Sequence, residues 1–264
     1  MHTLLRALAA AIFLLPLAWM ILAATGPAVG RSGTAALPEA AVLSGANFER
    51  AASLVPLGSY AWNSILVALV AVPLTVFVSG LTAFAVSQLS RAGQSAWVVL
   101  LLALLMVPEA ALWLPRFFIY RGLGWLDSPW ALAAPAWIGA SPFFILMFYR
   151  AFRRIPAAYF ETARIEGAGM LDLFGRVALP MARPTALGVA LLSLVYFWGE
   201  ASGPLLYLYS ESEYTLPVGL KLLQELGRSD WPVLMAGGLL AAALPVAVFL
   251  LAQPFFARIG GERG

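Results

Sequence analysis

Six apolar runs, at 4–24, 61–86, 95–115, 130–149, 184–208 and 233–257, take up most of this chain. Each offers roughly the 20 residues that an α-helix needs to cross a hydrocarbon core of about 30 Å. Inside a bilayer no water serves the backbone N–H and C=O groups, so a run this long must pair them internally, as a helix. The composition agrees: 62% of the 264 residues are hydrophobic and 11% charged, and the mean hydropathy is +0.87, well above a soluble mix. The chain is therefore expected to be an all-α integral membrane protein with six transmembrane helices. In the first run, Arg6 ahead of the apolar stretch and Ala23 and Ala24 behind it would also suit a cleaved signal peptide; its length favours a retained helix.

Absent residue types narrow the chemistry. There is no cysteine, and the single histidine is His2. That excludes a disulfide framework, zinc–thiolate and histidine metal sites, and Ser-His or Cys-His catalysis. A phosphate-binding G-x-x-x-x-G-K-S/T loop needs a lysine that reaches the β and γ phosphates. The one lysine is Lys221, inside GLKLL. If ATP drives this protein, another subunit hydrolyses it. The pI near 9.4 reflects a net charge of only +3 spread over short loops, a pattern of membrane topology and not of nucleic-acid binding.

The main polar interruption lies at 156–180. Its YFETARIEGAGMLDLFGRVALP stretch, from Tyr159 to Pro180, is glycine-broken and of mixed charge between two apolar runs. Pro156 suits a helix start, where its missing N–H is one of four unpaired donors. That helix should reach about Glu166. Gly167 and Gly169 permit the positive φ of a tight reversal, and a second short helix over 170–177 should stop before Pro180. Together these form a helix-turn-helix knob outside the apolar layer. Within it, Glu161, Ala163, Gly167, Leu179 and Pro180 stand at the spacing E-A-A-x-x-x-G-x(9)-I-x-L-P, with Thr162 for the second position and Val177 for the isoleucine. The segment resembles the signature of ATP-binding-cassette (ABC) importer permeases.

That resemblance implies a type I ABC importer permease fold, in which 156–180 is the coupling segment and its helix docks in a cleft of a cytoplasmic ATPase. It carries the coupling role to Glu161, Thr162, Ala163, Gly167, Ala168, Leu179 and Pro180. It also implies partners: two ABC ATPase subunits that bind ATP and magnesium, a second permease subunit, and an extracytoplasmic solute-binding protein. No cofactor and no catalytic activity are expected in this chain. The likeness runs from about Trp62 to the C-terminus. Trp198, Pro204 and Leu205 match the W-N-D/E-F motif and its following Pro-Leu pair, while Gly199, Glu200 and Ala201 depart from it. YTLPVGLKLLQ from Tyr214, Leu244-Pro245 and Gln253-Pro254-Phe255-Phe256 are similar to the maltose-type branch, which implies a carbohydrate substrate. The chain then divides into a first helix and external loop (1–60), a permease core (61–257) and a cytoplasmic tail (258–264).

Arginine placement sets an orientation. With the N-terminus inside, Arg6, Arg91, Arg150, Arg153, Arg154, Arg164, Arg176, Arg183, Arg258 and Arg263 are cytoplasmic; Arg31, Arg50, Arg116, Arg121, Lys221 and Arg228 are external. Ten against six follows the positive-inside rule with both termini inside, and it puts the knob on the side where ATP is. Arg153 and Arg154 meet either anionic membrane lipid or the ATPase. The external loop 25–59 should be irregular apart from a short helix near 48–54.

Polar residues inside the apolar runs are candidates for a solute path. Glu109 follows Pro108 in LLMVPEAALWLP, where proline should kink the third helix before it ends at Pro115. Its carboxylate either pairs with Arg116 or lines a helix contact. The fourth helix, with Pro135 and Pro142, should be bent. In the fifth run Ser193, Tyr196 and Glu200 are spaced i, i+3 and i+7 on one helix face, beside Trp198. Aromatic faces and carboxylates suit sugar hydroxyls and C–H surfaces, so Trp198 and Glu200 are candidate substrate contacts. An interfacial Trp and an outward-snorkelling Glu form the other reading. The expected function is a permease subunit of an ATP-driven importer for a sugar or polyol, in the bacterial or archaeal cytoplasmic membrane. The alternative is an ion-coupled secondary transporter that uses Glu109 and Glu200.

Overall fold

The computed structural model describes residues 2–26, 44–226 and 230–261, which are helical with no strand among them. The middle of the external loop, Arg31, Arg228, Arg263 and the end of the tail lie outside the described residues. Contacts group the chain into two units, 1–63 with 214–246 and 64–213 with 247–264.

After α1 (His2–Thr25), the helix expected near 48–54 is present as α2 (Ala46–Leu54). Buried Asn47 donates from Nδ2 to the carbonyls of Ala24 and Gly26 at 2.8 and 2.9 Å, so α2 satisfies acceptors at the end of α1. The long apolar α3 (Leu57–Ser87) follows, and then α4 (Arg91–Leu105), which Ser90 caps by accepting from the Gly93 N–H.

The third run is broken, not kinked. It leaves α4 at Leu105 and re-forms as α5 (Ala110–Leu123), bent by 96°. Pro108 has no N–H to give, and its ring would meet the Leu104 carbonyl, so the helix stops ahead of it. Pro115, expected at the helix end, sits inside α5, which Gly124 terminates at φ 67°.

The fourth run is interrupted as its prolines require. It consists of α6 (Pro129–Ala133), a 3-10 turn (Ala134–Ile138) and α7 (Pro142–Phe152). Between them Gly139 has φ 80°, and an added Cβ would lie 3.3 Å from Ser79 Cβ on α3, so both the turn and the close approach need glycine.

The knob comprises α8 (Ala157–Ile165), α9 (Met170–Asp172), a π turn (Leu173–Ala178) and α10 (Leu179–Met181). Its second helix does not stop before Pro180. The wider π turn changes the hydrogen-bond register ahead of the proline, and helix continues to Met181. A bend of 83° then leads into α11 (Arg183–Gly199). The fifth run departs from expectation too: α11 ends at Gly199, and α12 (Ser202–Tyr207) starts after a non-helical link at Glu200 and Ala201. Glu200 therefore occupies the end cap of α11 and not a place on the Ser193–Tyr196 helix face. A 3-10 turn (Glu211–Glu213), α13 (Leu216–Leu226) and α14 (Trp231–Gly261) complete the chain.

Among the described residues three spans, Leu57–Ser87, Pro129–Phe152 and Trp231–Phe255, are long and apolar enough to cross a membrane, and up to five are if each bent pair counts as one. In the first unit Tyr60 and Tyr214 meet edge to face at 5.9 Å, and Arg50 pairs with Asp230 at 2.8 Å. In the second unit the core is aromatic and lies beneath the knob.

Candidate functional site

The 156–180 segment stands on phenylalanines. Phe84 of α3, Phe148 and Phe152 of α7, Phe160 of α8 and Phe174 of the π turn are buried together. The Phe84 ring lies 6.0, 6.1 and 5.7 Å from those of Phe152, Phe160 and Phe174. Such pairs contribute about 0.5–1.5 kcal/mol each beyond their buried area. Ala163 and Ala168 pack against the same core, and Arg164 donates to Gln88 Oε1 at 2.7 Å. The knob is thus packed directly on α3 and α7.

Its outer side is open. Glu161 and Thr162 are exposed, and so are Tyr159, Met170, Leu171 at 73% and Ile165 at 88%. Large apolar side chains are thus exposed beside polar ones on this side of the segment. Gly167 makes the reversal at φ 89°. The Ala168 N–H donates to the Ala163 carbonyl at 2.9 Å and the Gly167 N–H to that of Arg164 at 3.0 Å, a Schellman closure of α8. Gly169 lies at φ −75°, so one glycine makes the turn where two were expected. Leu179 and Pro180 are half-buried in the last turn before α11.

Of the candidate path residues, the structure brings Tyr196 to Glu109. The tyrosine hydroxyl donates to Glu109 Oε1 at 2.8 Å, and Arg116 Nη1 donates to the same oxygen at 3.3 Å. The Glu109–Arg116 pairing read from the sequence is present, and α11 joins it. Ser193 is fully buried and donates to the Ala190 carbonyl at 3.0 Å; Trp198 is 8% exposed. The Glu200 carboxylate accepts from the Gly203 N–H at 2.8 Å and so pairs one of the free amides in the first turn of α12.

Other polar residues, not singled out from the sequence, tie the ends of the second unit. Buried Gln94 donates to the carbonyls of Ser87 and Leu89 at 3.0 and 2.8 Å and accepts from the Tyr149 hydroxyl at 3.0 Å. At the loop after α5, Asp127 adopts φ 57° and its N–H donates to the Tyr207 carbonyl at 2.8 Å. Its carboxylate accepts from the N–H groups of Tyr209 and Ser210, both at 2.8 Å, and from the Ser210 hydroxyl. These bonds, led by the Ser210 hydroxyl, hold the carboxyl below its ordinary range. The signal available in the sequence was an Asp in a Gly-rich loop, a residue that tolerates positive φ and bonds nearby backbone.

Residues 51–260 match the family described as binding-protein-dependent transport system inner membrane component. The chain belongs to this family. It is 30% identical over 202 residues to the probable ABC transporter permease protein YurM of Bacillus subtilis, over 76% of this chain and 67% of the relative. To the sulfoquinovosyl glycerol transport system permease protein SmoH of Agrobacterium fabrum it is 30% identical, over 78% of this chain and 72% of the relative. The lactose transport system permease protein LacG of Rhizobium radiobacter is 28% identical over 94% of this chain and 90% of its own length. The fold is similar to that of a bacterial ABC transporter involved in alginate import, with a TM-score of 0.71 and 17% identity over 97% of this chain and 94% of the other. The chain is accordingly an ABC importer permease, a multi-pass inner-membrane subunit that leaves ATP hydrolysis to a separate ATPase. Family membership sets aside the ion-coupled alternative, and Glu109 is in any case engaged by Arg116 and Tyr196.

Proposed function

We propose that this chain is one of two permease subunits of a carbohydrate importer, and that segment 156–180 couples it to the ATPase. Six spans would be α1, α3, α4 with α5, α6 with α7, α11 with α12, and α14, with both termini in the cytoplasm. Two ABC ATPase subunits would hold ATP and magnesium, and an external binding protein would deliver the solute. The observation that carries this reading is the exposed α8 and its Gly167 reversal, fixed on the Phe84 cluster beside the spans. Closure of the ATPases would push α8, and the aromatic base would pass the movement into α3 and α7.

The substrate class rests on the relatives, several of which carry sugars or sugar derivatives in their names. Tyr196, Trp198, Glu200 and Ser193 remain the proposed contributors to the path. Tyr196, half-buried and bonded to Glu109, offers ring and hydroxyl; Ser193 and Trp198 would shape the wall from within. The test is purification of the tagged chain from its native membrane with mass spectrometry of its companions. A cassette ATPase and a second permease should accompany it and be lost when Gly167 is replaced by a bulky residue. A chain recovered alone and still able to move solute would refute the reading.

A further inference from the structure

A cavity of about 500 Å³ opens between the end of α7 and the α10–α11 bend. Arg150, Arg154 and Thr185 supply its polar lining, and Met147, Met181 and Pro184 part of its apolar lining. Arg150 and Arg154 bring two guanidinium groups to this lining. Neither makes an ion pair with a carboxylate among the described residues, where the pairs formed use Arg50, Arg116 and Arg176. The C-terminal carbonyls of α7 favour a cation in the last turn but supply only about half a unit charge. A cleft lined by two arginines without carboxylate partners together with methionine and proline suits a phosphate joined to a hydrocarbon chain. Basic pockets between membrane helices near the cytoplasmic face recognise lipid headgroups in this way.

We propose that this cavity is a binding site for one anionic phospholipid, with its phosphate on Arg150 and Arg154 and its acyl chain along Met147 and Met181. The inference rests on the proposed cytoplasmic placement of 150–185. Ile155 and Pro156 also line the cavity, so the bound lipid would brace the root of the coupling segment.

The experiment is native mass spectrometry of the purified full chain, with any subunits that accompany it, titrated with phosphatidylglycerol or phosphatidylcholine. The wild type should retain phosphatidylglycerol in preference to phosphatidylcholine. Arg150→Gln and Arg154→Gln should each weaken retention about 5-fold, given roughly 1 kcal/mol per basic residue. The Arg150→Lys/Arg154→Lys double variant keeps both charges and should bind as the wild type, which separates charge from misfolding. Equal retention of the two lipids, or unchanged retention in both Gln variants, would overturn the proposal. Displacement of the lipid by inorganic phosphate would assign the site to a free phosphate instead, and loss of the ATPase with lipid retained would assign it to the protein partner. Because the chain lacks cysteine, Gly169→Cys labelling by an impermeant maleimide tests the orientation separately. Labelling from outside intact cells would refute the topology without bearing on lipid binding in detergent.

Discussion

Tyr196 on α11 donates its hydroxyl proton to Glu109, the residue that starts α5 after the break in the third span, across 2.8 Å. Arg116, seven residues on, holds the same carboxylate oxygen. Two broken spans are thus joined at one polar point. Tyr196→Phe removes one bond to a partly exposed carboxylate and should cost about 0.5–1.5 kcal/mol. Glu109→Gln keeps an acceptor and should cost less than Glu109→Ala, which leaves Arg116 unpaired. Thermal unfolding in detergent orders the three. With ATP-driven import, Glu109→Gln should also retain most of the transport; its abolition in a well-inserted protein would revive ion coupling through this carboxylate.

Gly167 and Gly169 should respond oppositely to alanine. At Gly167 a Cβ finds open space, but φ is 89°, where an L side chain costs about 1–2 kcal/mol. Gly169 lies at φ −75°, and its alanine variant should be close to neutral. The readout is ATPase activity stimulated by solute: reduced in Gly167→Ala, near wild type in Gly169→Ala. Equal loss in both would mean that the reversal is not set by the backbone of Gly167.

Much of this organisation was legible in the sequence. Run lengths supplied the all-helical class though not six unbroken spans, Pro135 and Pro142 the interrupted fourth span, and Pro156 and Gly167 the start and turn of the knob. Pro108 signals a kink in the third run but not a bend of 96°, and the break after Gly199 is not legible, because the helical spacing of Ser193, Tyr196 and Glu200 gives no sign of it. The spacing alone therefore puts Glu200 on a helix face it does not share. Gln94 and Asp127 carry no local signal, since their partners Tyr149 and Ser210 lie 55 and 83 residues away, and no local period encodes such a pairing. The phenylalanines beneath the knob are hidden for the same reason: they come from the second run, the end of the fourth and the knob itself.

Gly219 and Gly237 in the first unit are both crowded, but by different neighbours. A Cβ on Gly219 would fall 2.6 Å from Cδ2 of the Tyr60 ring, while one on Gly237 would meet a Leu223 methyl at 2.6 Å. Leu223 at 0% is as buried as Tyr60 at 2%, but its methyl ends a flexible side chain, whereas the ring is rigid and held edge to face against Tyr214. Gly219→Ala should therefore destabilise by about 1–3 kcal/mol and Gly237→Ala by less. Gly122→Ala, in open space within α5, should be neutral or stabilising by up to about 1 kcal/mol. Midpoints of thermal unfolding check the order.

Asp127 should give the protein an acid-sensitive loop. Its carboxyl titrates lower when folded than the 3.8 of a free side chain, chiefly through the Ser210 hydroxyl. A lowered folded value contributes stability that is present above the unfolded value and is lost as pH falls through the folded one. Unfolding midpoints measured from neutral pH to below about pH 4 should show this loss in the wild type. Asp127→Asn tolerates the positive φ but cannot ionise, so its midpoint should be lower at neutral pH and should lack that part of the acid dependence.

Solute uptake into proteoliposomes tests the proposed transport cycle most directly. The vesicles would contain this chain with its co-purifying permease and ATPase, and receive solute-loaded binding protein outside. The expected result is accumulation that requires hydrolysable ATP on the face bearing segment 156–180 and is lost in the variant with a bulky residue at Gly167. Accumulation without ATP, driven by a proton or sodium gradient, would contradict it.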